Sequence, residues 1–163
     1  MNNPGTDARF EDAPPASRPL RLKAESAEDL AILSSLLQDA VGRAGDIAWH
    51  PKQHRLVILV NRFRWEAGAD IGPSGGGERV RSAVSFESVL AVRARGLDPK
   101  AKAQVYELLA ILFEPSEGCA GTLTLTLAGG AEIAVEVECL DLALADLTEP
   151  WPARAIRAPQ HGE

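Results

Sequence analysis

The chain has 163 residues, 45% of them hydrophobic and 25% charged, with a formal net charge of −6; this suits one domain with a real core. No apolar run approaches the roughly 18–20 residues that span a bilayer, and residues 1–19 mix Arg9 and Arg18 with Asp7, Glu11 and Asp12 rather than forming a signal peptide. A cytoplasmic protein is expected, and the overall acidity with only 5% aromatics argues against nucleic acid as a partner.

The charge is unevenly distributed: residues 1–42 carry −3, residues 43–102 carry +5 and residues 103–163 carry −8. Such a chain either folds its halves against each other or shows two oppositely charged faces to partners.

Residues 1–19, rich in Pro, Asp, Asn and small residues, are expected to be a disordered tail. A single domain is expected over 20–153, with a second tail at 154–163. Ser26-Ala27-Glu28-Asp29 opens a helix: Ser26 caps the first turn, and the two acids complement the positive end of the dipole. Leu30, Leu33, Leu37, Ala40 and Val41 form its apolar stripe, and Gly42 and Gly45 bracket its exit.

The period then changes to two. Ile47–Trp49 and Arg55–Trp65 read as strands joined by a turn at His50–His54. In the second strand Val57, Leu59, Phe63 and Trp65 share one face, while Leu56, Ile58 and Val60 share the other. Arg62 and Arg64 follow on that second face and are expected to emerge into solvent. Residues 67–78 form a glycine-rich loop. Arg79–Phe86, Val89–Arg95 and the nearly continuous apolar run Val105–Phe113 are further strands.

Thr122–Glu138 is the clearest hairpin. A two-residue Gly129-Gly130 turn would set Leu127 against Glu132, whereas a three-residue loop sets leucines against Ile133, Val135 and Val137; a glycine-bulge turn is therefore predicted. Leu140, Ala143, Leu144 and Leu147 suit a short closing helix. Leu140, Leu142 and Leu144 also alternate as a strand would, and the helix is preferred. No internal repeat is visible.

The fold class is thus α+β: an N-terminal helix, then a mostly antiparallel, about seven-stranded bent sheet or partly closed barrel, then a short C-terminal helix. In element order it matches a pleckstrin-homology-like barrel, an analogy that assigns no function.

Several segments together carry a resemblance: Leu20–Ala24 before Asp29-Leu30, Arg62–Glu66, Val89–Gly96, Leu112–Pro115, Val135–Leu140 and Pro150–Pro152. In this combination and order the chain resembles the bacterial family catalogued as the domain of unknown function DUF2948, over about residues 20–153. The resemblance implies a small bacterial cytoplasmic protein. It supplies no activity, cofactor or catalytic residue.

The candidate chemistries are thin. His50 and His54 flank one turn without a third ligand, so no metal is expected. Cys119 and Cys139 fall opposite each other, or offset by two, in the hairpin register; in a reducing cytoplasm they are expected as free thiols. The loop at 72–77 lacks a P-loop's Gly-Lys-Ser/Thr ending, and Ser74 lacks a nucleophile elbow. No catalytic residue and no cofactor are assigned. Trp49, Trp65 and Trp151 are expected to pack.

The best candidate surface for an anion or a partner is arginine-rich. Arg62 and Arg64, Arg79 and Arg81, and Arg93 and Arg95 each lie two apart on a strand, so each pair points one way. If the strands are neighbours, six guanidinium groups share a face that could clamp carboxylate or phosphate; the plainer alternative is pairing with acids such as Glu66, Glu87, Glu136 and Glu138. The leading reading is a non-catalytic protein-interaction module that binds another protein, or itself, through sheet edges or the arginine face. The alternative is a small enzyme or an anion or phosphate binder using those arginines.

Overall fold

A computed structural model describes residues 19–65, 77–98 and 100–148, together with the backbone of 151–152. Residues 1–18 of the expected tail at 1–19, the expected tail at 154–163, Glu66 and nearly all of the glycine-rich loop lie outside the described residues. Strand β1 (Arg21–Ala24) precedes helix α1 (Ala27–Leu36). Then come β2 (Ala40–His50), β3 (Arg55–Phe63), β4 (Glu78–Phe86) and β5 (Val89–Arg95). The chain continues with β6 (Val105–Pro115), β7 (Gly121–Leu127), β8 (Glu132–Val137), β9 (Leu142–Asp146) and the two-residue β10 (Trp151–Pro152).

The helix starts as its sequence dictates, with the Asp29 amide donating to Ser26 Oγ at 3.1 Å. It stops earlier than the apolar stripe suggested. Asp39 takes a left-handed conformation (φ 67°), and Ala40, Val41, Gly42 and Gly45 belong to β2. Gly42 is required there because Tyr106 lies across it: a Cβ at 42 would sit 2.6 Å from the phenol ring.

All strand pairings are antiparallel, and nine strands form one open path in the order β1-β9-β4-β3-β2-β6-β7-β8-β5, with β10 pairing β4 off that path. The mostly antiparallel α+β class therefore holds, but the expected details need three corrections. A strand precedes the helix, the strands outnumber seven, and the segment at 140–147 forms β9 instead of a closing helix. With that helix goes the element that would have plugged a pleckstrin-homology-like barrel. The strand wins because β4 offers Ser82–Phe86 as an unpaired edge, and β9 completes it from Asp146 to Leu142. In this register Leu142, Leu144 and Asp146 all turn inward, where a tertiary partner outweighs local helical spacing.

Two meanders build the sheet. β2-β3-β4 and β6-β7-β8 meet where Ala40–Arg43 pairs with Val105–Leu108. Each meander gains its fourth strand from the other: β5, which directly follows β4, pairs with β8, and β9, which follows β8, pairs with β4. The path is therefore an exchanged, approximately two-fold arrangement that residue identity does not reveal. The β7–β8 hairpin has the expected three-residue loop, with Leu125 opposite Ile133 and Leu123 opposite Val135. Gly129 and Gly130 both have positive φ, and Val137 faces Gly121 instead of a leucine.

Inward residues of both meanders and of β9, including Ile58, Val84, Phe86, Leu123, Leu125, Val135 and Leu144, form a single core with Leu30 and Leu33 of α1 and Leu37 just after it. The interior also holds charged side chains. The Arg62 side chain is fully buried, and its Nε and Nη2 donate to the two oxygens of Asp146 at 3.1 and 3.0 Å. Asp146 also accepts from Ser82 Oγ at 2.7 Å and from the Leu20 amide at 3.0 Å. Four donors on one carboxylate offset the desolvation of the pair. They also tie the chain just before β1 to β3, β4 and β9.

Removing one member leaves the other buried and uncompensated. Asp146→Ala is expected to lower unfolding free energy by about 3–5 kcal/mol, and Arg62→Met/Asp146→Leu to recover most of it, measured by urea denaturation. A double variant no more stable than Asp146→Ala would contradict this account. Among the described residues Tyr106 Oη is buried without a hydrogen-bond partner, so Tyr106→Phe should be neutral or stabilising in the same assay.

Candidate functional site

The three arginine pairs do not converge. Arg62 and Arg64 face inward and are 0% and 1% exposed, which reverses the expectation that this side of β3 reaches solvent. The alternation that placed Leu56, Ile58 and Val60 inside simply continues. Arg64 bonds Glu78 at 2.8 Å. Arg79 and Arg81 lie on the opposite face of the sheet, opposite Phe63 and Asn61 respectively. Arg93 and Arg95 project from β5, at the far end of the strand order, and pair with Glu136 and Glu132.

The plainer reading of the arginines thus describes most of them. Partners for Arg93 and for Arg62 come from the acidic last third of the chain, as the charge asymmetry allowed. Asp146 and Asp46 were not recognised as partners because sequence spacing carries no signal for pairings across 84 and 35 residues.

Arg79 sits in the most unusual setting. Its guanidinium stacks on the Phe63 ring at 4.0 Å and donates to the Asn61 carbonyl at 2.9 Å, while its buried Nε has no partner among the described residues. Burial holds this arginine below its ordinary value, against the pull of Asp39 and Glu107. Glu107 is held above the ordinary carboxyl range, first by burial and then by its hydrogen bond to Asp39 and the charge there, with Arg79 opposing. Arg81 closes the cluster by donating to Asn61 Oδ1 at 3.3 Å and Asp46 at 3.2 Å. Trp65 Nε1 donates to the Gln38 carbonyl at 3.2 Å, with its ring 5.5 Å from that of Phe63, so the expected packing role of Trp65 fits its contacts.

The histidines and cysteines remain separate. His54 Nδ1 lies 3.1 Å from the Val89 carbonyl, and among the described residues no group of three His, Cys, Asp or Glu could hold a metal. Cys119 and Cys139 are free thiols. They line one feature that the sequence did not reveal, a groove of about 1090 Å³ between α1 and β6.

The groove arises from an incomplete pairing. β6 pairs with β2 only over Val105–Leu108 and with β7 from Leu108 to Pro115, so its last seven residues have one edge without a strand. Backbone groups alternate in direction along a strand, and two bonds set the phase here. The Ser116 amide donates to Ala120 on the β7 side at 2.8 Å, whereas the Ile111 amide donates the other way, to Ser34 Oγ of α1 at 2.9 Å. The carbonyls of Ile111 and Phe113 and the amide of Phe113 therefore point at the open edge. Consecutive residues Leu109–Phe113 all line the groove, as expected where a strand is met edge-on. Ala27, Ala31, Ser34 and Ser35 form the α1 wall, and Leu140 and Asp141 close the other side.

The groove's surroundings are acidic. Segments 25–38, 109–119 and 138–141 contain seven carboxylates and no lysine or arginine. Lys23 pairs with two of the lining carboxylates, 3.3 Å from Asp141 and 3.4 Å from Glu25, and its ammonium is held above the ordinary value, chiefly by the hydrogen bond to Asp141.

Together these features define an α+β chain built on one open antiparallel sheet with a half-open internal strand. The chain belongs to a family described as a protein of unknown function (DUF2948), whose model matches residues 20–161. No curated protein matches it, and no solved structure does. No helix among the described residues is long and apolar enough to cross a membrane.

The acid cluster makes a pH prediction. A carboxyl whose value is raised by folding costs stability once ionised: the cost is absent below the ordinary carboxyl range and appears as pH rises through and above it. Glu107→Gln should therefore be more stable than the parent at pH 7, with the difference fading towards pH 4. Chemical denaturation at both pH values tests this; an equal difference at both would refute it.

Proposed function

We propose that this chain is a non-catalytic protein-interaction module of the bacterial cytoplasm, and that its binding site is the groove between α1 and β6. The observation that carries this reading is the open edge of β6 inside an apolar groove. Apolar surface together with unsatisfied backbone donors and acceptors is what a partner segment can complete. A binding role is also supported by the engagement of Arg62, Arg64, Arg81, Arg93 and Arg95 with carboxylates, which leaves those five poorly suited to grip an anionic substrate. Of the six candidate arginines the remaining one, Arg79, lies where Asp39 and Glu107 already supply negative charge.

Ala31 is exposed and lines the groove, so Ala31→Trp fills the space while preserving the helix and the net charge. With tagged full-length chains as baits, the parent should retain from a cell extract at least one protein that Ala31→Trp loses. Arg93→Glu/Arg95→Glu should still retain it. The purified pair should then bind at least about tenfold more weakly with Ala31→Trp. Equal recovery by the parent and Ala31→Trp would reject the groove as the binding site.

A further inference from the structure

We infer that the groove takes an extended, basic and apolar peptide segment of a partner protein, added as a strand to the open edge of β6. This rests on the interaction reading above and specifies its chemistry.

The first argument is geometric. Along 111–115 one edge of β6 pairs with β7, while on the other the carbonyls of Ile111 and Phe113 and the amide of Phe113 have no protein partner among the described residues. A helical ligand has already satisfied its own backbone and leaves these groups unpaired, whereas an extended segment satisfies them in alternation, with side chains directed to either side. Pro115 ends the donor row, since it has no amide hydrogen. The edge can therefore hold a short strand of two or three backbone bonds. Ser34 already occupies the Ile111 amide, fixing where such a strand must stop.

The second argument is charge. Seven carboxylates in the surrounding segments, without a basic residue among them, favour lysine or arginine on the incoming segment, while Leu109, Ile111, Leu112, Phe113 and Leu140 favour apolar residues between them. Lys23, bridging Glu25 and Asp141, shows within the chain the pairing that a partner's cation would repeat. Screening makes this part of the affinity fall as salt rises.

The test uses the full-length chain, 15N-labelled, with three ten-residue probes: alternating valine and lysine, alternating valine and glutamate, and a helix-forming leucine–lysine peptide. The valine–lysine peptide should bind, slow exchange of the Phe113 amide at least tenfold, and leave the Leu112 amide, which faces β7, unchanged. Ala31→Trp should abolish this. Phe113→Pro removes the outward amide and spares the β6–β7 ladder, so it should lose binding. Phe113→Leu retains the amide and should keep it.

Equal binding of the valine–glutamate peptide would overturn the charge argument. Ala31-sensitive binding of the helical peptide alone, with Phe113 still exchanging freely, would overturn strand addition while leaving the groove as an interaction site. Failure of all three probes to bind in an Ala31-sensitive way would overturn the inference, whereas the interaction reading itself falls only with the extract experiment. Slow Phe113 exchange in the peptide-free chain, lost on removing residues 153–163 or on dilution, would identify the chain's own tail or a second copy as the occupant instead.

Discussion

The buried pair of Arg62 and Asp146 governs how the first half of this protein is assembled. A guanidinium on β3 and a carboxylate on β9, separated by 84 residues, can enter the interior only together. Once there they recruit Ser82 from β4 and the Leu20 amide ahead of β1. Satisfying one carboxylate thus sets the lateral order of four strands. The apolar residues around it supply most of the driving force but little registry, because leucine and valine tolerate several neighbours, whereas a bidentate ion pair tolerates few.

The same distribution of charge shapes the surface. Basic side chains from the middle of the chain are largely consumed by acids from its last third and from neighbouring strands, so the arginines mainly hold elements together. The acids left without such partners concentrate around α1, the end of β6 and the β8–β9 link. The molecule therefore keeps an uneven field although most of the described arginines pair with carboxylates, and that field lies where the sheet is least complete.

Much of the core was legible in the sequence and much of the site was not. Period-two alternation identified β3, β4, β5 and the β7–β8 hairpin, and the need to keep Glu132 off the apolar face gave the hairpin's register. These features rest on contacts between near neighbours in sequence or on a strict inside–outside rule. The errors arose where a distant partner decided the outcome. Leu140–Leu147 fits either period, and only the waiting edge of β4 selects the strand. Arg62 and Arg64 continue a buried face, but arginine reads as a surface residue until its carboxylate is found. The run Val105–Phe113 announced a central strand, and nothing in it signals that half of one edge would be left without a strand because β2 begins only at Ala40, opposite Leu108.

The exchange of β5 and β9 between the two meanders bears on how such a chain arises and how it can be divided. Each half supplies the fourth strand of its counterpart's meander, as two identical subunits do when they trade an arm. A tandem duplication of a four-stranded unit that once assembled with a copy of itself yields this path without any new topology. Cutting between the halves would then give two fragments with matching gaps, able to recombine but each lacking its fourth strand by itself.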